Sequence, residues 1–223
     1  MSLIGRQIDL DLLGVIRGAI KLVIDPSQTD SVYDVEDGLR NRRATTLAVE
    51  FVKERPEVAA IFAERYLTDP PDLNVLSQLP EQSLGYAYAH YLKSSGFEAD
   101  FYRPISVDDD VSYFLLRMRQ THDIWHLVAG FDTDVPGELG LKAFELAQTR
   151  RPLSAVLLAG GVLSAVFKAP ETIGPLLEQI AIGYRLGSAA HPFLAQKWED
   201  HWARSLTEWR QQVNLTPMSE YRP

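Results

Sequence analysis

The segment THDIWHLVAGFDTDVPGELG sets His122, Asp123, His126 and Glu138 in the pattern H-D-x2-H-x11-E, and no other feature of the chain restricts its fold as much. Histidines at i and i+4 share a face only on a helix, where their Cβ atoms lie about 5–6 Å apart. Glu138 follows a stretch containing Gly and Asp, which can fold it back toward that face. A helix, a reversal and a second helix start then suffice to gather two nitrogens and two oxygens around a divalent ion.

Neutral imidazole suits first-row metals, and carboxylates add charge. Two nitrogens with two oxygens suit Zn²⁺ first, then Mn²⁺ or Fe²⁺; a carboxylate-weighted version suits Mg²⁺. The expected ligands are His122, Asp123, His126 and Glu138. Asp123 sits about 100° around the helix from His122, as a ligand or as a group orienting an imidazole. Glu138, at a helix start, is kept ionised by backbone donors and either completes the site or acts as a base on metal-bound water. Asp123 and Glu138 are therefore the catalytic candidates. The pattern is not H-E-x-x-H, so the zinc-protease base is missing. It also differs from the Glu and Glu-x-x-His sets of di-iron bundles. His90, His191 and His201 form no second cluster. The competing reading is a solvated helix face or a hydrogen-bonded helix end.

With 223 residues and no linker-like stretch, the chain reads as one domain over 1–223. It has no cysteine, which excludes disulfides and thiolate metal sites. The net charge of −8 argues against nucleic acid, which needs phosphate neutralisation. The amino-terminal MSLIGRQIDLDLLG has acidic residues inside its apolar run and lacks the charge order of a signal peptide. The expected location is cytoplasmic, with peripheral membrane contact and no transmembrane helix.

Helical spacing recurs along the chain. Residues 8–24 read as an amphipathic helix ending before Pro26. Ser31 can cap another, 41–54 are helical again, and Pro56 stands near the start of PEVAAIFAERYL. Residues 68–72 form a loop, and 81–95 a helix ended by Gly96. Asp109 or Asp110 caps a long helix through Leu127, with Gly130 as its stop. Glu138 falls in the first turn of the next, which runs to about Arg150, and two more follow near 172–187 and 192–213. Trp198, Trp202, Leu206, Trp209 and Val213 recur at three or four residues and read as core. Strand alternation is weak throughout. The fold class expected is all-α, a single multi-helix domain.

Residues 152–167 carry no charge and are bracketed by Arg151 and Lys168. The run falls short of the roughly 20 residues that span a bilayer as a helix. One reading is a buried core helix. The other is the wall of an apolar lipid-binding cavity or groove, or a face touching membrane. For the latter, Leu157, Gly160, Gly161, Leu163 and Ser164 are the lipid-contacting candidates.

The segment HDIWHLVAGFDTDVPGE resembles the coenzyme Q biosynthesis protein four family. Gly130, Thr133 and Gly137-Glu138, in G-x-x-T-x-x-x-G-E, are similar to the family loop. LPEQSLGYAYAHYL upstream is similar to its Pro-Glu…Leu-Gly…Tyr segment, and FLAQKWEDHWARSLTEWRQQVNL downstream to its Trp-Glu element and closing helix. The likeness covers most of 70–216. It implies an all-α fold, a metal at His122, Asp123, His126 and Glu138, and binding of a prenylated quinone precursor or another isoprenoid (phosphate) lipid. It further implies a part in ubiquinone assembly, as partner of other quinone-biosynthesis proteins and in oxidative removal of a ring carboxylate. A homo-oligomer is expected. The alternatives are a non-catalytic lipid-binding scaffold and a metal-dependent hydrolase of a prenyl phosphate.

Overall fold

The computed structural model describes residues 29–221, except 97, 100 and 101. The helix expected over 8–24 lies outside these residues. The described chain is built from helices α1 (Thr29–Arg40), α2 (Arg43–Lys53), α3 (Pro56–Glu64), α4 (Leu73–Leu76), α5 (Leu84–Ser95), α6 (Asp110–Ala129), α7 (Val135–Thr149), α8 (Pro152–Lys168), α9 (Ile173–Ala189) and α10 (Leu206–Gln212). Among the described residues there is no β-strand. One isolated antiparallel bridge, Ser83 to Ser205, ties the start of α5 to the start of α10.

Local chemistry sets the ends of these helices. Asp109 accepts from the Ser112 amide while the Ser112 hydroxyl accepts from the Asp109 amide, a reciprocal cap that starts α6. Gly130, at φ 76°, stops it. Pro56 opens α3, and Gly96 ends α5 at φ 71°. Ser83 caps α5, so that helix begins three residues after the position the sequence pattern suggests.

Helix α6 runs through the middle. Tyr113, Phe114, Met118, Ile124, Trp125 and Val128 are all essentially inaccessible. A helix buried on all sides also buries its polar positions, and those must find partners. Arg117 forms an ion pair with Glu199, and Arg119 with Glu36. Around α6 the core is aromatic. Trp125 meets Phe193 edge-on at 5.2 Å, Phe193 meets Trp198 at 5.3 Å, and Trp198 lies 4.6 Å from Trp209. Such offset and edge contacts each add about 0.5–1.5 kcal/mol beyond area burial.

The carboxyl-terminal region corrects one expectation. Residues 192–213 are not one helix. Two short 3₁₀ turns, Phe193–Ala195 and Trp198–His201, precede α10. Ser205 and Glu208 form their own capping box, which starts a new helix there. Trp198, Trp209 and Val213 are nevertheless core, as expected.

Helix α8 is not the core helix that its composition suggests. Only Leu153, Ser154 and Gly160 are buried on it. Its first turns join Val35, Val32 and Leu39 of α1 in a small separate cluster that includes Val156 and Leu157. Toward its end Leu163 is 51% and Phe167 77% exposed. No helix among the described residues is long and apolar enough to cross a membrane.

Candidate metal centre

His122 and His126 stand one turn apart on α6, their rings edge to face with centroids 4.8 Å apart. The loop from Gly130 to Asp134 then reverses the chain. Asp134 caps α7 by accepting from the Gly137 amide at 2.9 Å, and Glu138 follows in the first turn. The reversal needs glycine at 137, because a Cβ there would lie 2.2 Å from the Asp132 carbonyl oxygen. The loop thereby delivers Glu138 onto the histidine face. One Glu138 oxygen lies 3.1 Å from His126 Nε2, and the other 3.9 Å from His122 Nε2. Ligand atoms of His122, His126 and Glu138 all fall within 4.8 Å of one another.

The far nitrogens of both rings are tied to the protein. His126 Nδ1 lies 3.0 Å from the Phe131 carbonyl oxygen. A carbonyl only accepts, so Nδ1 carries a hydrogen, and in the neutral ring Nε2 keeps the lone pair. His122 Nδ1 lies 3.0 Å from a Glu145 oxygen, and a carboxylate imposes the same tautomer. Lys142 Nζ lies 3.3 Å from that Nδ1 and donates to the same Glu145 oxygen at 2.9 Å. Both Nε2 atoms therefore lie near Glu138 with their far nitrogens tied, as in metal-ligating histidines.

His126 Nε2 is buried and has no aligned hydrogen-bond partner, although Glu138 is close. A buried nitrogen of this kind costs free energy unless something occupies its lone pair. The donor set, two imidazoles and a carboxylate, fits a divalent cation. The site also opens outward: the side chains of His122 and Glu138 are 27% and 37% exposed, whereas His126 is 3%. Three protein ligands with one open side is the pattern of catalytic zinc sites.

Charge in the site is arranged around that opening. Burial raises the Glu138 pKa, but the His126 and His122 rings and Lys142 outweigh it and hold the carboxyl down at about 2. Burial disfavours a charged His126 ring, yet the facing Glu138 carboxylate raises its pKa. Burial also pushes the Asp123 carboxyl up.

Of the residues expected at the site, the structure brings His122, His126 and Glu138 together. Asp123 is buried beside them, but its oxygens fall outside that close group, and no described residue donates a hydrogen bond to it. The lipid-contacting candidates are less gathered. Gly161 packs directly on Leu139, the residue after Glu138; a Cβ at 161 would lie 2.4 Å from Leu139 Cδ1. Gly160 is buried, Leu157 belongs to the α1–α8 cluster, and Leu163 is exposed. Ser164 is partly buried.

Sequence reasoning missed Glu145 and Lys142. The signal was present, since Glu138, Lys142 and Glu145 at i, i+4 and i+7 share one face of α7.

A profile of the family described as coenzyme Q (ubiquinone) biosynthesis protein Coq4 matches residues 12–219. Among curated relatives are mitochondrial proteins named as ubiquinone biosynthesis protein COQ4 homologs. That of Anopheles gambiae is 23% identical, over 88% of this chain and 70% of its own length. One from Culex quinquefasciatus is 31% identical, over 68% and 54%. That of Bos taurus is 28% identical, over 86% and 73%. The chain thus spans between about half and three quarters of these relatives. A crystal structure of a Nostoc punctiforme protein, assigned provisionally to ubiquinone biosynthesis, superposes with a TM-score of 0.82 at 40% identity, over 91% of this chain and 97% of that one.

Proposed function

The chain belongs to the coenzyme Q (ubiquinone) biosynthesis protein Coq4 family, and from that premise we propose that it is a metal- and isoprenoid-binding protein acting on a prenylated ring precursor. His122, His126 and Glu138 hold the divalent metal, zinc first among candidates, and the ring or its carboxylate enters through the exposed side of the site. The observation that carries this reading is the gathering of both Nε2 atoms at the Glu138 carboxylate, each ring fixed by a tied Nδ1.

When bound, the metal supplies positive charge that polarises a carboxylate oxygen of the ring and orients it. The protein's own groups do the rest. The two rings fix the position of the head group. Asp123, buried and free of donors among the described residues, is the group available to take or give a proton beside it. The isoprenoid tail runs from the head group toward the apolar surface of α8, where Gly161 and Leu139 bring that helix next to Glu138. In oxidative removal of the ring carboxylate the ring–carboxylate bond breaks, CO₂ leaves and a hydroxyl from water takes its place, while dissolved O₂ accepts the two electrons withdrawn and leaves as H₂O₂.

A non-catalytic scaffold is the second reading, favoured by the exposed apolar stripe Ala155, Ala159, Leu163, Val166 and Phe167 on α8. One experiment separates the two. Metal-loaded protein is incubated in air with a carboxylated prenylated ring precursor, and CO₂ release is followed beside Glu138→Gln. Release lost with Glu138→Gln supports the enzyme. Tight binding of the precursor without release supports the scaffold. Neither binding nor release removes both.

A further inference from the structure

Glu145, twenty-three positions after His122, is the side chain that grips its ring. Glu145 is 1% exposed and fully engaged. One of its oxygens takes His122 Nδ1–H at 3.0 Å and Lys142 at 2.9 Å; the other takes the Ser154 hydroxyl at 2.8 Å and faces Arg151 at 3.8 Å. Arg151 in turn forms an ion pair with Glu36 of α1, and Glu36 also accepts from Arg119 Nε at 2.6 Å. Glu36, Arg119 and Arg151 are all under 9% exposed. A continuous buried chain of charge thus runs from α1 through α8 and α7 to a ring of the metal centre.

Such a chain is a costly way to stabilise a fold, because desolvation offsets most of the attraction in buried ion pairs. It is, however, a rigid way to fix one carboxylate. A carboxylate on the far nitrogen of a ligating histidine sets tautomer and ring angle and makes the near nitrogen more basic.

We propose that Glu145 is the positioning residue of this metal centre, with Arg151, Glu36 and Arg119 holding it against His122. The proposal rests on the metal-binding reading above. It makes metal affinity depend on a side chain that never touches the ion.

The test is a competition titration of Zn²⁺ on the purified full chain, with the visible spectrum of the Co²⁺-loaded protein as reporter of ligand geometry. The variants are Lys142→Met/Glu145→Gln, which removes both buried charges together, and Glu145→Asp, which keeps the charge but withdraws it from the ring. Each variant is first shown to unfold cooperatively. Zn²⁺ affinity about 10–100-fold below the unmodified chain, with a changed Co²⁺ spectrum in a folded variant, is the expected result. Unchanged affinity and spectrum in a folded variant overturns the positioning role and leaves the metal site intact. Absence of Zn²⁺ binding by the unmodified chain overturns the metal reading itself. If the double variant does not fold, Glu145→Asp carries the test by the same two criteria.

Discussion

The Phe131 carbonyl oxygen lies 3.0 Å from His126 Nδ1, so the first residue beyond the end of α6 and its Gly130 stop fixes the ring at that helix's last turn. The chain reversal that brings Glu138 to the site is therefore the same one that orients His126. Site geometry and loop geometry are inseparable here, and changes in the loop report on both.

Gly137→Ala tests that link. Its new Cβ would meet the Asp132 backbone, so the reversal has to open. The expected loss of stability is about 1–3 kcal/mol, with metal affinity falling as Glu138 moves away. Urea denaturation and metal titration on the same variant check both parts.

Glu36→Gln removes the carboxylate shared by two buried arginines. Stripping one partner from a buried ion pair costs about 3–5 kcal/mol. The unfolding midpoint in urea falls accordingly, and the slope stays unchanged if the transition remains cooperative.

Asp109→Ala removes the cap of α6 at an exposed site. The expected cost near neutral pH is about 0.5–2 kcal/mol. Hydrogen bonds from Ser112 lower the Asp109 pKa, and the Lys53 hydrogen bond lowers that of Asp110 against the opposing effect of burial. A carboxyl with a depressed folded-state pKa stabilises the fold at pH above its unfolded value of about 3.9. That contribution disappears as pH falls through the folded value. The gap between the unmodified chain and Asp109→Ala therefore narrows below about pH 4, which paired thermal melts at pH 7 and pH 3 would reveal.

Much of this is legible in the sequence. Asp109 and Gly130 bound α6 because a cap and a left-handed stop act within a few residues. The i, i+4 histidines and the Gly137-Glu138 turn are equally local. Spacing alone puts Glu145 on the Glu138 face of α7, but its grip on His122 depends on how α7 lies against α6 and on Arg151, itself paired with Glu36, reaching it from elsewhere. The expected helix over 192–213 is broken, and the Ser205-to-Glu208 capping box marks the new start inside it. Helix α8 has the composition of a core helix, yet Leu163, Val166 and Phe167 remain exposed. Composition states how apolar a helix is; the packing of its neighbours decides which face is covered.

The central claim is that His122, His126 and Glu138 bind a divalent metal. Its most direct test is the metal content of the purified chain, by elemental analysis after dialysis against trace zinc, beside His122→Ala/His126→Ala. The expected result is close to one equivalent per chain for the former and almost none for the latter, with both proteins folded. Equal content in the two would contradict the account.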